Sequence, residues 1–416
     1  MSGFRSNVEM ANKELRVLFA PTPLQKNEHL SKMYDADIYL KREDLSPVRS
    51  YKIRGAFNAM RKALAANPDL STFVCASAGN HAQGVAFACK HFGVRGVIFM
   101  PVTTPEQKIN KTSIFGGDQV EIKLVGDYFD DTLHAAQEFC EHEGAQFLPP
   151  YDADDVIEGQ ATVIAEIMEQ LAQLEPDMLI VPVGGGGLSA GLVKFMGEGD
   201  NDVAFRFAEP SGGRSLFSTL CAGSIVTLDY VDNFVDGAAV ARIGDRNYEA
   251  LKHVDPDHVI GVDERRLCTT MVEMLNIEGI VLEPAGALTI DALKDLKDEI
   301  RGKTIICITS GGNFDFERLP DVKERAMRYE GRKKYLILRL PQRPGALKDF
   351  LSLLGPDDDI ARFEYLKKSA RNFGAVLIGL ETKNPEGFPE LFARLNDNGF
   401  SFQDITDNDM LAEILV

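Results

Sequence analysis

Between residues 70 and 325, short β-branched runs alternate with longer stretches of helical period, a pattern that predicts parallel sheets covered by helices on both faces. FVCAS (73–77) leads into NHAQGVAFACKHFGV and then GVIFMPV (96–102), while VEIKLVG (120–126) precedes a helix reaching Cys140. MLIVPV (178–183) ends at four glycines before a helix, and TIICITS (304–310) ends at GGN before FDFERLPDVKERAMRY. Near-continuous apolar runs of this kind predict strands buried on both faces.

The pattern changes near residue 330, where GRKK forms a basic, polar hinge. KYLILRLP (334–341) alternates like a strand and RPGALKDFLSLLG reads as a turn and helix; IARFEYLKK and FGAVLIGLE read as two further strands. PEGFPELFARLNDNG then forms a helix before a short terminal segment, giving a βαββαβ order. The expected organisation is a large two-lobed α/β region over residues 1–330 and a smaller α+β unit over 331–416.

A length of 416 residues fits that division, and 44% hydrophobic with 26% charged residues is the composition of an ordinary folded protein. The net charge of −18 argues against nucleic-acid backbones and anionic membranes as partners. Because residues 331–416 are close to charge balance, nearly all of that surplus lies in the first 330. No run approaches the roughly 18 to 20 apolar residues that span a bilayer, and the first residues lack a signal-peptide core, so a cytoplasmic location is expected. The cysteines (75, 89, 140, 221, 268 and 307) form no C-x-x-C pair, there is no H-E-x-x-H, and His134 and His142 read as surface polar residues. No metal is expected; a capping or surface role is the better reading of Glu209, the one carboxylate weighed for a structural cation.

Candidate chemistry sits where strands give way to helices. In YLKREDLSPVRSYKIRGAFNAM (39–60), Lys52 falls at the start of a helix. The helix dipole and burial both disfavour an ammonium there, so Lys52 is pushed toward the neutral amine that attacks a carbonyl. Taken alone it reads better as an exposed surface lysine; its company changes the odds. VPVGGGGLSAG (181–191) carries Gly184, Gly185, Gly186 and Gly187 into a helix starting near Leu188, a backbone cradle for a phosphate that is neither a Walker A loop nor a G-x-G-x-x-G turn. CASAGNHAQG (75–84) offers Ser77, the Gly79 and Asn80 backbone and the Asn80 amide at a second helix N-terminus, suited to a carboxylate and a phenolic oxygen, although capping by Ser77 or Asn80 is a common alternative. His81 reads as packing or orienting. TSGGN (309–313) places the Ser310 hydroxyl at the carboxyl end of a strand, the rim where α/β sheets bind ligands.

Taken in order, SYKIRGA, SAGNHAQG, GGGGLSAG, DGAAV (236–240), EPAGAL (283–288) and SGGN resemble the pyridoxal-phosphate enzymes of the tryptophan-synthase β-like fold (fold type II), and among them the threonine dehydratase (threonine ammonia-lyase) family. The resemblance runs over roughly residues 15–325, and the tail, with RPGAL and ARFEYLKK, looks like a single ACT-like regulatory domain of the biosynthetic type. It implies a smaller lobe at roughly 50–150, pyridoxal 5'-phosphate carried on Lys52, its phosphate held by Gly184–Gly187 with Leu188, and its ring oxygen bonded by Asn80. It further implies Ser310 at the pyridine nitrogen, and Ser77, Ala78, Gly79 and His81 around the substrate carboxylate. The activity implied is conversion of L-threonine to 2-oxobutanoate and ammonia, the committed step toward isoleucine, in a homotetramer inhibited by isoleucine with valine as a possible opposing ligand. Leu347, Phe363 and Tyr365 are candidate walls of the effector pocket, with a core role equally open for each. Serine dehydratases and racemases of the same fold would share Lys52, Asn80, the glycines and Ser310, but alanine at position 82 speaks against racemisation. A non-catalytic amino-acid-binding regulator is the alternative of another class.

Overall fold

The apolar runs become strands whose spatial order differs from their order along the chain. In the computed structural model, which describes residues 3–171, 175–199, 203–365 and 372–408, a six-stranded sheet is ordered Leu24–Lys26, Asp37–Arg42, Thr304–Thr309, Met178–Pro182, Ala204–Pro210, Val259–Val262. All its neighbours run parallel except the edge pair Leu24–Lys26 with Asp37–Arg42. Thr304–Thr309 and Met178–Pro182 lie side by side in the middle, with Cys307 opposite Ile180. Two adjacent parallel strands end on the same rim, so the tetraglycine and Ser310 emerge together at the carboxyl edge of the sheet.

A second, four-stranded parallel sheet is ordered Val120–Leu124, Arg95–Met100, Thr72–Ala76, Gln146–Phe147. Thr72–Ala76 is interior to it and buried apart from its first residue, so the turn at Ser77–Asn80 leaves from the carboxyl rim of this smaller lobe. The expectation of double-sided burial fails at Val120–Leu124, where every position is half-buried or exposed. It is the edge strand, and its solvent side is polar: Glu121 pairs with Arg95 at 2.6 Å, and the Lys123 ammonium lies 4.4 Å from the Phe139 ring centre.

The helix that opens at Lys52 (Lys52–Ala66) is buried on all sides from Ile53 to Met60 and crosses the helix Asp154–Gln160 closely. Glycine makes the approach possible, because a Cβ on Gly159 would stand 2.5 Å from the Arg54 carbonyl oxygen and 2.7 Å from the Gly55 Cα. Beneath the crossing lies a fully buried ion cluster. Arg54 donates to both oxygens of Glu43 and of Glu166 at 2.7–2.8 Å, and Lys41 donates to Glu166 at 2.7 Å.

The chain divides into two units between Asp315 and Phe316. Helix Leu319–Tyr329 therefore goes with the second unit, upstream of the break that the GRKK hinge suggested. The second unit contains the expected βαββαβ run: Lys333–Pro341, Ala346–Leu351, Asp358–Tyr365, Phe373–Thr382, Phe388–Asp397 and Phe402–Asp404. Its antiparallel sheet is ordered Asp358–Tyr365, Phe373–Thr382, Lys333–Pro341, Phe402–Asp404, and the two helices cover a core of Leu336, Leu338, Phe350, Val376, Ile378, Leu391 and Leu395.

The glycine contact predicts that Gly159→Ala forces the two helices apart and costs about 1 to 3 kcal/mol in a urea titration, the usual range for overpacking. An unchanged midpoint would show that the crossing is looser than this geometry.

Candidate active site

Lys52 is the first residue of its helix, with Tyr51 before it held by a bond from its N–H to the Ser310 carbonyl oxygen at 3.1 Å. The Lys52 Nζ donates to the Pro150 carbonyl oxygen at 2.9 Å. Burial lowers its pKa from 10.5 to about 8, while the carboxylate of Glu283 pulls the other way. A substantial fraction of neutral amine is therefore present at neutral to mildly alkaline pH, as carbonyl attack requires.

Pro150 is followed by Tyr151, which connects the lysine to the tetraglycine. Gly186 takes φ +89 and helix Gly187–Gly197 begins one residue later. A Cβ on Gly185 would overlap the Tyr151 ring, and one on Gly187 would lie 2.8 Å from the Tyr151 carbonyl oxygen. The glycines are thus a packing requirement as well as a source of unobstructed N–H groups. The loop is held from its other side by Asn247, whose Nδ2 donates to the Gly185 carbonyl oxygen at 2.7 Å.

Across the cleft, the Ser77 Oγ accepts from the Gly79 N–H at 3.2 Å, which shapes the turn. Asn80 is the first residue of helix Asn80–Phe92. A Cβ on Gly79 would meet nothing within 4 Å, so the turn faces open space. His81 is buried, its Nε2 lies 2.9 Å from the Leu148 carbonyl oxygen, and burial followed by the nearby Lys52 charge lowers its pKa to about 3. It is neutral at any working pH, with Nε2 as donor, which supports orientation over general-base work. The Ser310 hydroxyl donates to the Ala285 carbonyl oxygen at 3.1 Å and presents no charge.

Contacts thus bring these segments together where the two sheets meet: Tyr51 bonds Ser310, Lys52 bonds Pro150 beside the Tyr151 that packs on the glycines, and His81 bonds Leu148. Three residues without a role in the sequence reading join them. Tyr151 backs the glycines; Glu283 accepts from the Asn80 Nδ2 at 2.6 Å; Asn313 donates to the Asn80 Oδ1 at 2.7 Å. EPAGAL and SGGN carried Glu283 and Asn313 as motif members, but nothing local in those strings names Asn80 as their partner. In the second unit, Phe363 and Tyr365 pack against the core and Leu347 is 40% exposed on its helix.

The family described as pyridoxal-phosphate-dependent enzyme matches residues 15–311, and the C-terminal regulatory domain of threonine dehydratase matches residues 324–415. The biosynthetic L-threonine dehydratase IlvA of Bacillus subtilis is 44% identical over 98% of this chain and 96% of that protein. The chain belongs to the biosynthetic threonine dehydratase family of pyridoxal-phosphate-dependent enzymes. A namesake from Staphylococcus aureus is 42% identical over 99% of this chain and 98% of its own length. Among solved structures, the processed threonine deaminase isoform 2 of Solanum lycopersicum superimposes with a TM-score of 0.72 at 33% identity, over 78% of this chain and 87% of that one. Maize serine racemase gives 0.71 at 26%, over 79% and 99%.

The site fits the cofactor on its own geometry: a glycine loop into which Cβ atoms could not be built, an amine biased toward its neutral form, and open space before Gly79. Since the neutral amine is the reactive form, uptake of pyridoxal phosphate by apo-protein is predicted to speed up about tenfold per pH unit up to about 8 and then level off. Stopped-flow absorbance checks this; a rate still climbing beyond pH 10 would mark an ordinary exposed lysine.

Proposed function

We propose that this protein is an L-threonine ammonia-lyase, releasing 2-oxobutanoate and ammonia as the committed step toward isoleucine. The observation that carries the reading is the pairing of Lys52, at a helix start with its amine biased toward neutrality, with the glycine cradle on the opposite strand end. Likeness to the dehydratases over nearly the whole chain supports it.

In this reading Gly184–Gly187 and Leu188 hold the phosphate of the cofactor, Asn80 its ring oxygen, and Ser310 the pyridine nitrogen. When bound, pyridoxal phosphate supplies an electron-accepting ring conjugated to the amino group of the substrate. A hydroxyl at Ser310, instead of a carboxylate, leaves that ring a moderate acceptor and favours elimination over transamination. Ser77, Ala78 and Gly79, with the helix N-terminus behind them, bind the substrate carboxylate, and His81 fixes the turn. As a neutral amine Lys52 would take the Cα proton, and as the ammonium so formed it would return that proton to the β-hydroxyl, which then leaves as water. The 2-aminocrotonate so formed takes up water and splits into 2-oxobutanoate and ammonia.

The unit from Phe316 onward serves as an isoleucine sensor, with valine opposing, in a cytoplasmic homotetramer. No helix among the described residues is long and apolar enough to cross a membrane. Leu347, Phe363 and Tyr365 wall the effector pocket. Binding must be reciprocal, so isoleucine binds less tightly when the active site is occupied.

Lys52→Ala is expected to remove both the visible cofactor band and 2-oxo acid formation from threonine. A variant keeping either would overturn the role of the lysine, and a wild-type enzyme preferring serine would overturn the substrate. Leu347→Asp, which places a charge in an apolar pocket, is expected to weaken inhibition by isoleucine about tenfold or more at unchanged uninhibited turnover. Unaltered inhibition would move the effector site elsewhere.

A further inference from the structure

Glu283 is buried, precedes helix Pro284–Asp291, and yet does not cap it, since no helix N–H is bonded by its side chain. Its Oε1 instead receives the Asn80 Nδ2 at 2.6 Å. Room for that oxygen is made by two glycines: a Cβ on Gly311 would land on it, and one on Gly237 would lie 3.7 Å away. The other end of the same amide is also committed, because the Asn80 Oδ1 accepts from the Asn313 Nδ2 at 2.7 Å, and the Asn313 Oδ1 accepts from the Lys111 Nζ at 3.1 Å. The chain Lys111, Asn313, Asn80, Glu283 steps alternately between the smaller and larger lobes. A free Asn amide can present either oxygen or nitrogen to a ligand. Here an acceptor on one side and a donor on the other allow one orientation, and the amide nitrogen keeps one further hydrogen.

We propose that Glu283 is a positioning residue for the cofactor: it fixes the Asn80 amide with its nitrogen toward the cleft, so that the ring oxygen of pyridoxal phosphate meets a donor. The inference rests on the assignment of Asn80 to the ring oxygen made above. The groups facing Glu283 are Asn80 from helix Asn80–Phe92, Lys108 and Lys111 from helix Glu106–Gly116, Asp236 at the start of DGAAV, Lys52 from the first turn of its helix, and Tyr51 just before it. Burial first, and then Asp236, raise the Glu283 pKa from 4.5 to about 7, against the bond from Asn80 and the charges of Lys108 and Lys111. The carboxyl group therefore ionises close to neutral pH, and the hold on the amide strengthens as it does so.

The test uses the holoenzyme and reads the visible cofactor band and cofactor affinity between pH 6 and 9, independent of turnover. The wild-type band is expected to shift as this carboxyl group ionises within that range. Glu283→Gln keeps an acceptor for Asn80 but cannot ionise, so the band persists and the step disappears. Glu283→Ala frees the amide and weakens cofactor binding about tenfold, the scale of one lost charge-assisted hydrogen bond. A step of unchanged midpoint in Glu283→Gln, or wild-type affinity in Glu283→Ala with circular dichroism confirming both variants folded, overturns the proposal. Asn80→Ala run alongside separates the two assignments: an unaltered band there removes Asn80 from the ring oxygen, whereas an altered band with silent Glu283 variants removes Glu283 alone. A holoenzyme that shows the step but leaves threonine untouched sinks the substrate reading and keeps this one.

Discussion

The placement of the reactive lysine depends on a knot of charge sealed inside the larger unit. Arg54, two residues beyond Lys52, is fully buried and bonds Glu43, Glu166, Thr22 and Thr162, while Lys41 and Arg16 reach the same Glu166. Burial alone pushes the Glu166 carboxyl up, but Arg54 and Lys41 outweigh it and hold the group ionised. Buried ions of this kind contribute little net stability against a well-packed apolar alternative, yet removing one partner costs several kcal/mol because the others are stranded. Their consequence is geometric. Strand Asp37–Arg42, the turn at Glu43, the start of the lysine helix and helix Thr162–Leu171 are pinned to one another through the bidentate contacts of Arg54 and the Lys41–Glu166 bond, which fix the first turn of the lysine helix.

The cleft is then assembled by strand ends. Parallel strands bring the tetraglycine and Ser310 to one rim of the larger sheet, and the turn at Ser77 leaves the smaller sheet toward them. Bonds that cross between the lobes, Asn80 with Glu283, Lys108 with Asp236 at 2.6 Å, and Lys111 with Asn313, hold the two walls together. The overall charge of −18 is a poor guide to this interior. The groups available to an anionic cofactor and a substrate carboxylate are local: backbone N–H groups at helix starts, the Lys52 amine, and Lys108 and Lys111 at the edge.

Much of this was legible along the chain because its signal is local. Lys52 at a helix start, four glycines between an apolar strand and a helix, and the βαββαβ run after residue 330 all follow from periodicity and turn chemistry over a few residues. Val120–Leu124 misled because apolarity in five residues does not say whether a strand has one neighbour or two; edge position is a property of the sheet. Glu283 and Asn313 carried no readable role, since the partner that gives each its meaning lies 203 or 233 residues away. Tyr151 was invisible for the same reason. Its ring matters because Gly185 has no side chain, a complementarity between distant positions that neither segment states.

By itself, then, the sequence determined the kinds of element, the strand-to-helix turns that carry polar chemistry, and the amine and backbone groups those turns expose, because each is set by φ/ψ preference and hydrophobic period within one segment. Only the tertiary structure decided which strand ends share a rim, where the chain divides at Asp315, and how the Asn80 amide is turned. These depend on burial and on hydrogen bonds closed across hundreds of residues. Desolvation belongs with them: the same lysine and the same glutamate would titrate normally in an unfolded chain, and only the fold brings their pKa values to about 8 and about 7.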